Sequence, residues 1–233
     1  MDTIVIGASP EQRLCALVCA HTARKHASIP FGIIHSFDRS FPVPTKPENR
    51  SRTGFSFVRF AIPEMTGYQG RGMYLECDQI VFRDVAEIFA IPFGDSTILR
   101  PPNQASVLLL DCDRLRWKTE DIVRGLDDGK YGYRDLMEDL ACEDPGLIQK
   151  TIPREWNSLE RYEHGRTALL HYTNMAIQPW RRWGHPLAYL WLEALADGIR
   201  TGSIPKTAVV EEVGSGHVVR EVGDWCRRNG LLV

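Results

Sequence analysis

Residues 3–35 read TIVIGASPEQRLCALVCAHTARKHASIPFGIIH, and three signals within them decide the fold. Thr3-Ile4-Val5-Ile6 is a short β-branched run, broken by Gly7-Ala8-Ser9-Pro10. From Glu11 to about His26, Leu14, Cys15, Leu17 and Val18 recur at helical spacing. Phe31-Gly32-Ile33-Ile34-His35 is a second apolar run bounded by turn formers, and so a second strand. Strand, helix, strand is a βαβ opening, which predicts an α/β fold built on a parallel sheet.

Working outward, strand signals recur at 72–75, 97–99, 107–110 and 167–170. Helical patterns lie near 119–128 and 133–142, with a long helix from about Pro186 to Arg200 and a shorter one near 217–229. Residues 38–54 (DRSFPVPTKPENRSRTG) mix proline with charge and read as an irregular loop. A loop of that length usually has a purpose, and the expectation is a functional loop or lid.

The 233 residues suffice for one large domain with its own core, and the hydrophobic content of 43% supplies it. That content with 25% charged residues and a net charge of -2 excludes a disordered tail protein and gives no support to a mainly electrostatic nucleic-acid binder. No apolar run approaches the roughly 18 residues of a membrane span, and Met1-Asp2-Thr3 leads directly into Ile4 without a signal-peptide pattern. The expectation is a cytoplasmic protein with no transmembrane segment. The 6 cysteines include no C-x-x-C pair. Cys15 and Cys19 share a helix face, and the set reads as buried thiols in a reducing compartment rather than a zinc site.

The chemistry concentrates in Met73-Tyr74-Leu75-Glu76-Cys77-Asp78-Gln79-Ile80-Val81-Phe82, where an apolar strand runs into two acids and then resumes. In an extended chain Glu76 and Asp78 project from the same side. Carboxylates held that close repel unless a cation lies between them or one is protonated; a solvated strand end is the plainer alternative. A second strand, Thr167-Ala168-Leu169-Leu170-His171-Tyr172, carries a histidine at its C-terminal end, where open α/β sheets bind ligands. One imidazole with two carboxylates is a first shell for a Mn²⁺ ion shared with phosphate oxygens, and a packed or capping histidine is the other reading.

Other residues read as structure. Gly7-Ala8-Ser9 lacks the later glycines of a dinucleotide fingerprint, which argues against an NAD site. Asp111 and Asp113 read as a strand end and helix-start signal. Trp180, Trp183 and Trp191 read as core, and His21, His26, His35, His164, His185 and His217 as structural.

The order of these segments resembles a GT-A glycosyltransferase of the family-eight type, the group of glycogenin-like and lipopolysaccharide glycosyltransferases. Tyr74-Leu75-Glu76-Cys77-Asp78 resembles the family's Y-L-D-x-D strand end, and His171 matches the histidine of its H-[FY]-x-G-x-x-K-P-W stretch. Gln104-Ala105-Ser106-Val107-Leu108-Leu109-Leu110 resembles the N-[AS]-G-V-[LM]-L-[IL] strand, and Trp156-Asn157 the W-N motif. Residues 50–63 and 156–180 are similar to a less characterised branch reading R-S-R-T-G-F-S-F-x-R-F-A-I-P, W-N-S-L-E and L-L-H-Y-T-x-M-x-x-Q-P-W. The likeness spans residues 2 to about 195.

The resemblance implies a mixed, mostly parallel sheet flanked by helices, in one GT-A domain over 1–233 with a C-terminal helical segment at about 186–233. It implies a retaining transferase moving a hexose or deoxyhexose from a nucleoside diphosphate, UDP first, to a carbohydrate or small acceptor. Mn²⁺ (or Mg²⁺) would be held by Glu76, Asp78 and His171. The donor would be bound by Gly7, Ala8, Ser9, Arg52, Arg59, Glu76, Cys77, Asp78, Gln104, Trp156, Asn157 and Gln178, with Asp78 and Gln104 at the reacting centre. In the family the 7–9 loop lies along the uridine, and the arginine matching Arg59 reaches the donor. Gln104 has an amide suited to sugar hydroxyls.

The chain departs from the pattern at Glu76, where most relatives carry Asp, and at Cys77, where a small residue is usual. It departs again at Gln178, in place of a lysine on the diphosphate, which shifts phosphate binding toward Arg59, Arg52 or backbone N–H groups. Two alternatives follow: a noncatalytic glycan- or nucleotide-binding module on the same fold, or a sugar nucleotidyltransferase.

Overall fold

The computed structural model describes residues 1–50 and 53–232. β1 (Thr3–Gly7) leads through a 3₁₀ turn at Pro10–Gln12 into α1 (Arg13–Lys25), and β2 (Gly32–His35) returns parallel to β1. α1 buries Leu14, Cys15, Val18 and Cys19 against the sheet side, and both thiols are free. The chain continues through α2 (Val58–Met65), β3 (Arg71–Glu76), β4 (Gln79–Val81), α3 (Ala86–Phe89), β5 (Ile98–Leu99) and β6 (Leu108–Asp111). Then come α4 (Thr119–Asp127), α5 (Tyr133–Asp139), β7 (Ile148–Gln149), β8 (Ser158–Leu159) and β9 (Leu169–His171). Three helices close the described chain: α6 (Ala188–Thr201), α7 (Lys206–Gly214) and α8 (Arg220–Arg228).

The larger sheet has the order β2-β1-β3-β6-β5-β7, in which β6 alone runs against the others. This is the mixed, mostly parallel sheet that the resemblance implies, and its parallel β1–β2 pair is the βαβ unit read from the opening residues. Ile4, Val5, Ile6, Met73, Tyr74 and Leu75 are wholly inaccessible to solvent, because central strands covered on both faces need apolar side chains on both. The shared direction brings the C-terminal ends of β1, β3, β5 and β7 (Gly7, Glu76, Leu99 and Gln149) to one edge.

A smaller sheet has the order β4-β9-β8. β3 belongs to the larger sheet and β4 to the smaller, so the chain crosses between them at the Cys77-Asp78 turn. Glu76 and Asp78 therefore do not share one continuous strand, and a turn rather than the strand pleat brings them together.

Several boundaries differ from the sequence reading for local reasons. α5 stops at Asp139 because Leu140 adopts a left-handed φ of 56°. Asp111 ends β6 and pairs with Arg114 at 3.3 Å. Asp113 does not start a helix, since α4 begins at Thr119, whose N–H donates to Glu64 at 2.8 Å. α7 lies where no helix was anticipated; its Arg13–Glu211 pair at 2.9 Å ties it to α1. Trp180 and Trp191 pack as a tilted pair 5.4 Å apart, whereas Trp183 is 40% exposed and not part of the core. The 38–54 segment is anchored rather than free over its described middle: Thr45 and Asn49 side chains donate to the Asp127 carboxylate at 2.7 and 3.0 Å.

Candidate metal and donor site

Antiparallel pairing of β4 with β9 sets Gln79 opposite His171, one residue beyond the Cys77-Asp78 turn. The Tyr172 N–H donates to the Asp78 carbonyl at 2.9 Å, and the Cys77 N–H to the Gly7 carbonyl at 3.0 Å. The Glu76 N–H donates to Gln79 Oε1 at 3.0 Å. The turn is thus fixed from both sheets by the backbone and by the Gln79 side chain.

The side chains of Glu76, Asp78 and His171 converge there, their ligand atoms all within 4.8 Å of one another. His171 Nε2 lies 3.3 Å from a Glu76 carboxylate oxygen and 3.2 Å from Asp78 Oδ1. Each group is braced from behind on its other polar atom. Arg59 Nη2 donates to Glu76 Oε1 at 2.9 Å, Gln178 Nε2 to Asp78 Oδ2 at 3.0 Å, and His171 Nδ1 meets Asn157 Oδ1 at 3.0 Å. Gln178 Nε2 also donates to the Tyr172 carbonyl at 2.8 Å. The three inward atoms are left facing one another.

That arrangement has an electrostatic consequence. Asn157 Oδ1 accepts, so His171 Nδ1 carries its proton, and a neutral ring would then aim an Nε2 lone pair at two carboxylates. Burial opposes a charged ring, but Asp78 and Glu76 overcome it and push His171 up to about 10. Burial raises Asp78, while His171 and Arg59 hold Glu76 below the usual carboxylate range despite its burial. Asp78 Oδ1 is buried and accepts no hydrogen bond of good geometry. An orphaned carboxylate oxygen beside a second acid and an imidazole is the donor set that a hard or borderline divalent cation takes. The bracing by Arg59, Gln178 and Asn157 is what oriented metal ligands require. The residues fit such an ion.

Glu76, Asp78 and His171 line a cleft of about 760 Å³, together with Phe55, Arg59, Gln104, Tyr133 and Met175. The volume lies in the range of small-ligand sites. Arg59 is buried, and besides Glu76 it reaches the Ala105 carbonyl at 2.8 Å and stacks its guanidinium 4.9 Å from the Tyr74 ring centre.

No family model matches the chain. Protein CDI of Arabidopsis thaliana is 34% identical over 185 residues, covering 76% of this chain and 56% of that protein. The chain therefore spans little more than half the length of that relative. Among solved structures, the apo-form glycosyltransferase GlyE of Streptococcus pneumoniae is similar with a TM-score of 0.59, 16% identity, and coverage of 93% of this chain and 63% of that one. The galactosyltransferase LgtC, solved with donor and acceptor sugar analogs, is similar with a TM-score of 0.58 and 15% identity, covering 89% of this chain and 98% of that one. The bifunctional glycosyltransferase WbbM gives a TM-score of 0.60 at 12% identity, over 83% of this chain and 49% of that one. The fold is the GT-A fold.

Within this GT-A fold the expected donor residues fall into distinct groups. Glu76, Asp78, His171, Arg59 and Gln104 line the cleft. Trp156 and Asn157 are buried behind it, with Asn157 bracing His171 rather than lining the donor space. Gln178 is 1% exposed; its Nε2 donates to Asp78 and to the Tyr172 carbonyl, while its Oε1 is buried without a hydrogen-bond partner. Cys77 faces the core, where burial and the adjacent Asp78 keep its thiol protonated. The Ala8 N–H donates to Ser36 Oγ at 2.7 Å and the Ala8 carbonyl accepts from the same hydroxyl at 2.9 Å, while the Ser9 N–H donates to Gln12 Oε1 at 3.2 Å. The loop's amides are thus engaged internally. Gly7 has a packing reason: a Cβ there would lie 2.7 Å from Tyr74 Oη and 2.9 Å from Phe55. Arg52 lies outside the described residues.

Sequence reasoning missed Asn157 and Gln178 as braces, because these roles depend on how β9 pairs with β8 and β4. It also missed Arg100, Tyr133 and Lys150 as cleft residues. Among the described residues, no helix is long and apolar enough to cross a membrane.

Proposed function

We propose that the chain is a metal-dependent glycosyltransferase of the family-eight type, transferring a sugar from a nucleoside diphosphate, UDP first, to a carbohydrate acceptor. The observation that carries this reading is the convergence of Glu76, Asp78 and His171 within 4.8 Å on the wall of the cleft, each braced by a separate side chain. LgtC, whose fold is similar, was solved with donor and acceptor sugar analogs. Residues 1–233 would act as one domain, with about 186–233 as its C-terminal helical segment.

Mn²⁺ or Mg²⁺ held by those three residues would share the charge of the departing diphosphate. The chain's own groups do the rest. Arg59 fixes Glu76 and the Ala105 backbone, keeping the cleft wall and the acidic turn in register. Gln104 presents an exposed amide, with Oε1 accepting from Ser106 at 3.2 Å, to sugar hydroxyls. Asp78 contributes the orphaned oxygen. Retention follows from the family resemblance, with the leaving phosphate taking the acceptor's proton.

The experiment is UDP release from UDP-glucose and UDP-galactose with Mn²⁺, with and without chelator. Release that stops with chelator and in Asp78→Ala supports the reading. Mn²⁺-dependent binding of UDP without any release, across a panel of sugar acceptors, favours the noncatalytic binding module.

A further inference from the structure

Arg100 is a buried cation that the described residues leave without an ion-pair partner. It follows β5 directly and is 4% exposed. Its Nε donates to the Pro101 carbonyl at 3.2 Å and its Nη1 to the Glu138 carbonyl at 2.5 Å. Among the described residues it forms no ion pair: the Glu138 carboxylate is taken by Arg134 at 3.0 Å, and Asp139 acts on Arg100 only at longer range. The other buried arginine of the cleft, Arg59, has Glu76. A buried guanidinium stays charged and needs an anion.

Arg100 lines the same cleft as the acidic turn, and so does Lys150, exposed at the end of β7. Lys150 also forms no ion pair among the described residues. Together they outweigh Asp139, which lines the cleft there and forms no ion pair among the described residues. In the sheet order, β5 lies two places and β7 three places beyond β3. At the usual strand spacing that is about 10 Å and about 14 Å from the strand ending in Glu76. The backbones of Arg100 and Lys150 thus stand to one side of the acidic turn, on the same cleft.

We propose that Arg100 and Lys150 form a second anion subsite at the far end of the cleft, which takes a carboxylate or phosphate on the sugar that reaches it. That sugar is the acceptor or the outer edge of the transferred sugar. The proposal rests on the glycosyltransferase reading for the cleft's overall ligand. Discrimination follows from chemistry, since a neutral sugar would leave the buried guanidinium unpaired while an acid accepts its planar fork of donors.

The test is calorimetric binding to the full chain and to Arg100→Gln and Lys150→Gln, all with Mn²⁺. UDP alone reads the donor site. UDP-glucuronate against UDP-glucose reads an acid on the transferred sugar; glucuronate and glucose 6-phosphate against glucose, added over UDP, read an acid on the acceptor. In at least one comparison the acidic ligand should bind about tenfold tighter or more, and Arg100→Gln should abolish that preference without altering neutral binding. Lys150→Gln, at an exposed position, should reduce it severalfold and serves if Arg100→Gln does not fold. No acidic preference in either comparison, or one that survives both substitutions, overturns the subsite and leaves Arg100 a tie between Pro101 and Glu138. Absence of UDP binding alongside an Arg100-dependent acid preference would instead overturn the glycosyltransferase reading and keep the subsite.

Discussion

Asn157 Oδ1 lies 3.0 Å from His171 Nδ1, and this contact decides which nitrogen of the ring faces Glu76 and Asp78. Asn157 is wholly buried, and its Nδ2 reaches the Gln104 carbonyl at 3.5 Å, so one side chain links the histidine to the cleft wall. Asn157→Ala should cost about 1–3 kcal/mol of stability through the unpaired buried partners it leaves. It should also weaken Mn²⁺-dependent UDP binding by about 10–100-fold, the usual effect of losing a ligand's orienting partner. Denaturant unfolding and calorimetry read the two separately. Lost stability with unchanged Mn²⁺ dependence would make Asn157 structural only.

Gln178→Leu removes the donor to Asp78 Oδ2 and to the Tyr172 carbonyl while leaving an apolar side chain of roughly similar volume. The expected loss is again about 1–3 kcal/mol. Gln178→Lys, which restores the residue common in the resembling family, should not tighten UDP binding, because the position is 1% exposed and turned toward Asp78. A clear gain in UDP affinity for Gln178→Lys would show that the side chain reaches the phosphates.

Gly7→Ala tests the packing account of the first loop. The added methyl would meet Tyr74 Oη at 2.7 Å and Phe55 at 2.9 Å. Tyr74 in turn donates to Glu76 at 3.4 Å. Overpacking of this kind costs about 1–3 kcal/mol, and the displacement should also weaken UDP binding. Full stability in thermal unfolding would contradict the tight fit.

The fold was largely legible because its central strands are apolar on both faces, so β1, β3 and β6 stand out as uninterrupted runs. β7 and β8 have two residues each and leave no periodic trace. α7 begins after Pro205 but its apolar positions are few, and its packing on α1 carries it. Glu76, Asp78 and His171 could be singled out because acids and a histidine at strand ends are unusual chemistry there. The bracing roles of Asn157 and Gln178, which the resemblance placed on the donor, and Arg100 altogether could not, because an amide or arginine in a loop carries no sign of burial until the strands are paired.

Asp127 holds the loop at Thr45–Asn49 as a charged acceptor, and the Asn49 and Thr45 side chains keep its carboxyl well below the usual range. A depressed folded-state pKa contributes stability that is fully present above the unfolded value of about 4 and lost as pH falls through the folded one. Hydrogen exchange or proteolysis at 45–50 should therefore be slow at pH 7 and accelerate, relative to the sheet, only in strong acid. Asp127→Ala should show the fast behaviour at pH 7. Equal protection in the variant would mean that other contacts hold the loop.

The most direct test of the metal-dependent donor site is calorimetric titration of UDP into the wild-type chain with Mn²⁺, with chelator, and into Asp78→Ala with Mn²⁺. Asp78 offers the buried oxygen that accepts no hydrogen bond, so the account predicts binding in the first case and loss of about tenfold or more in affinity in the other two. UDP binding of equal strength in all three would contradict it.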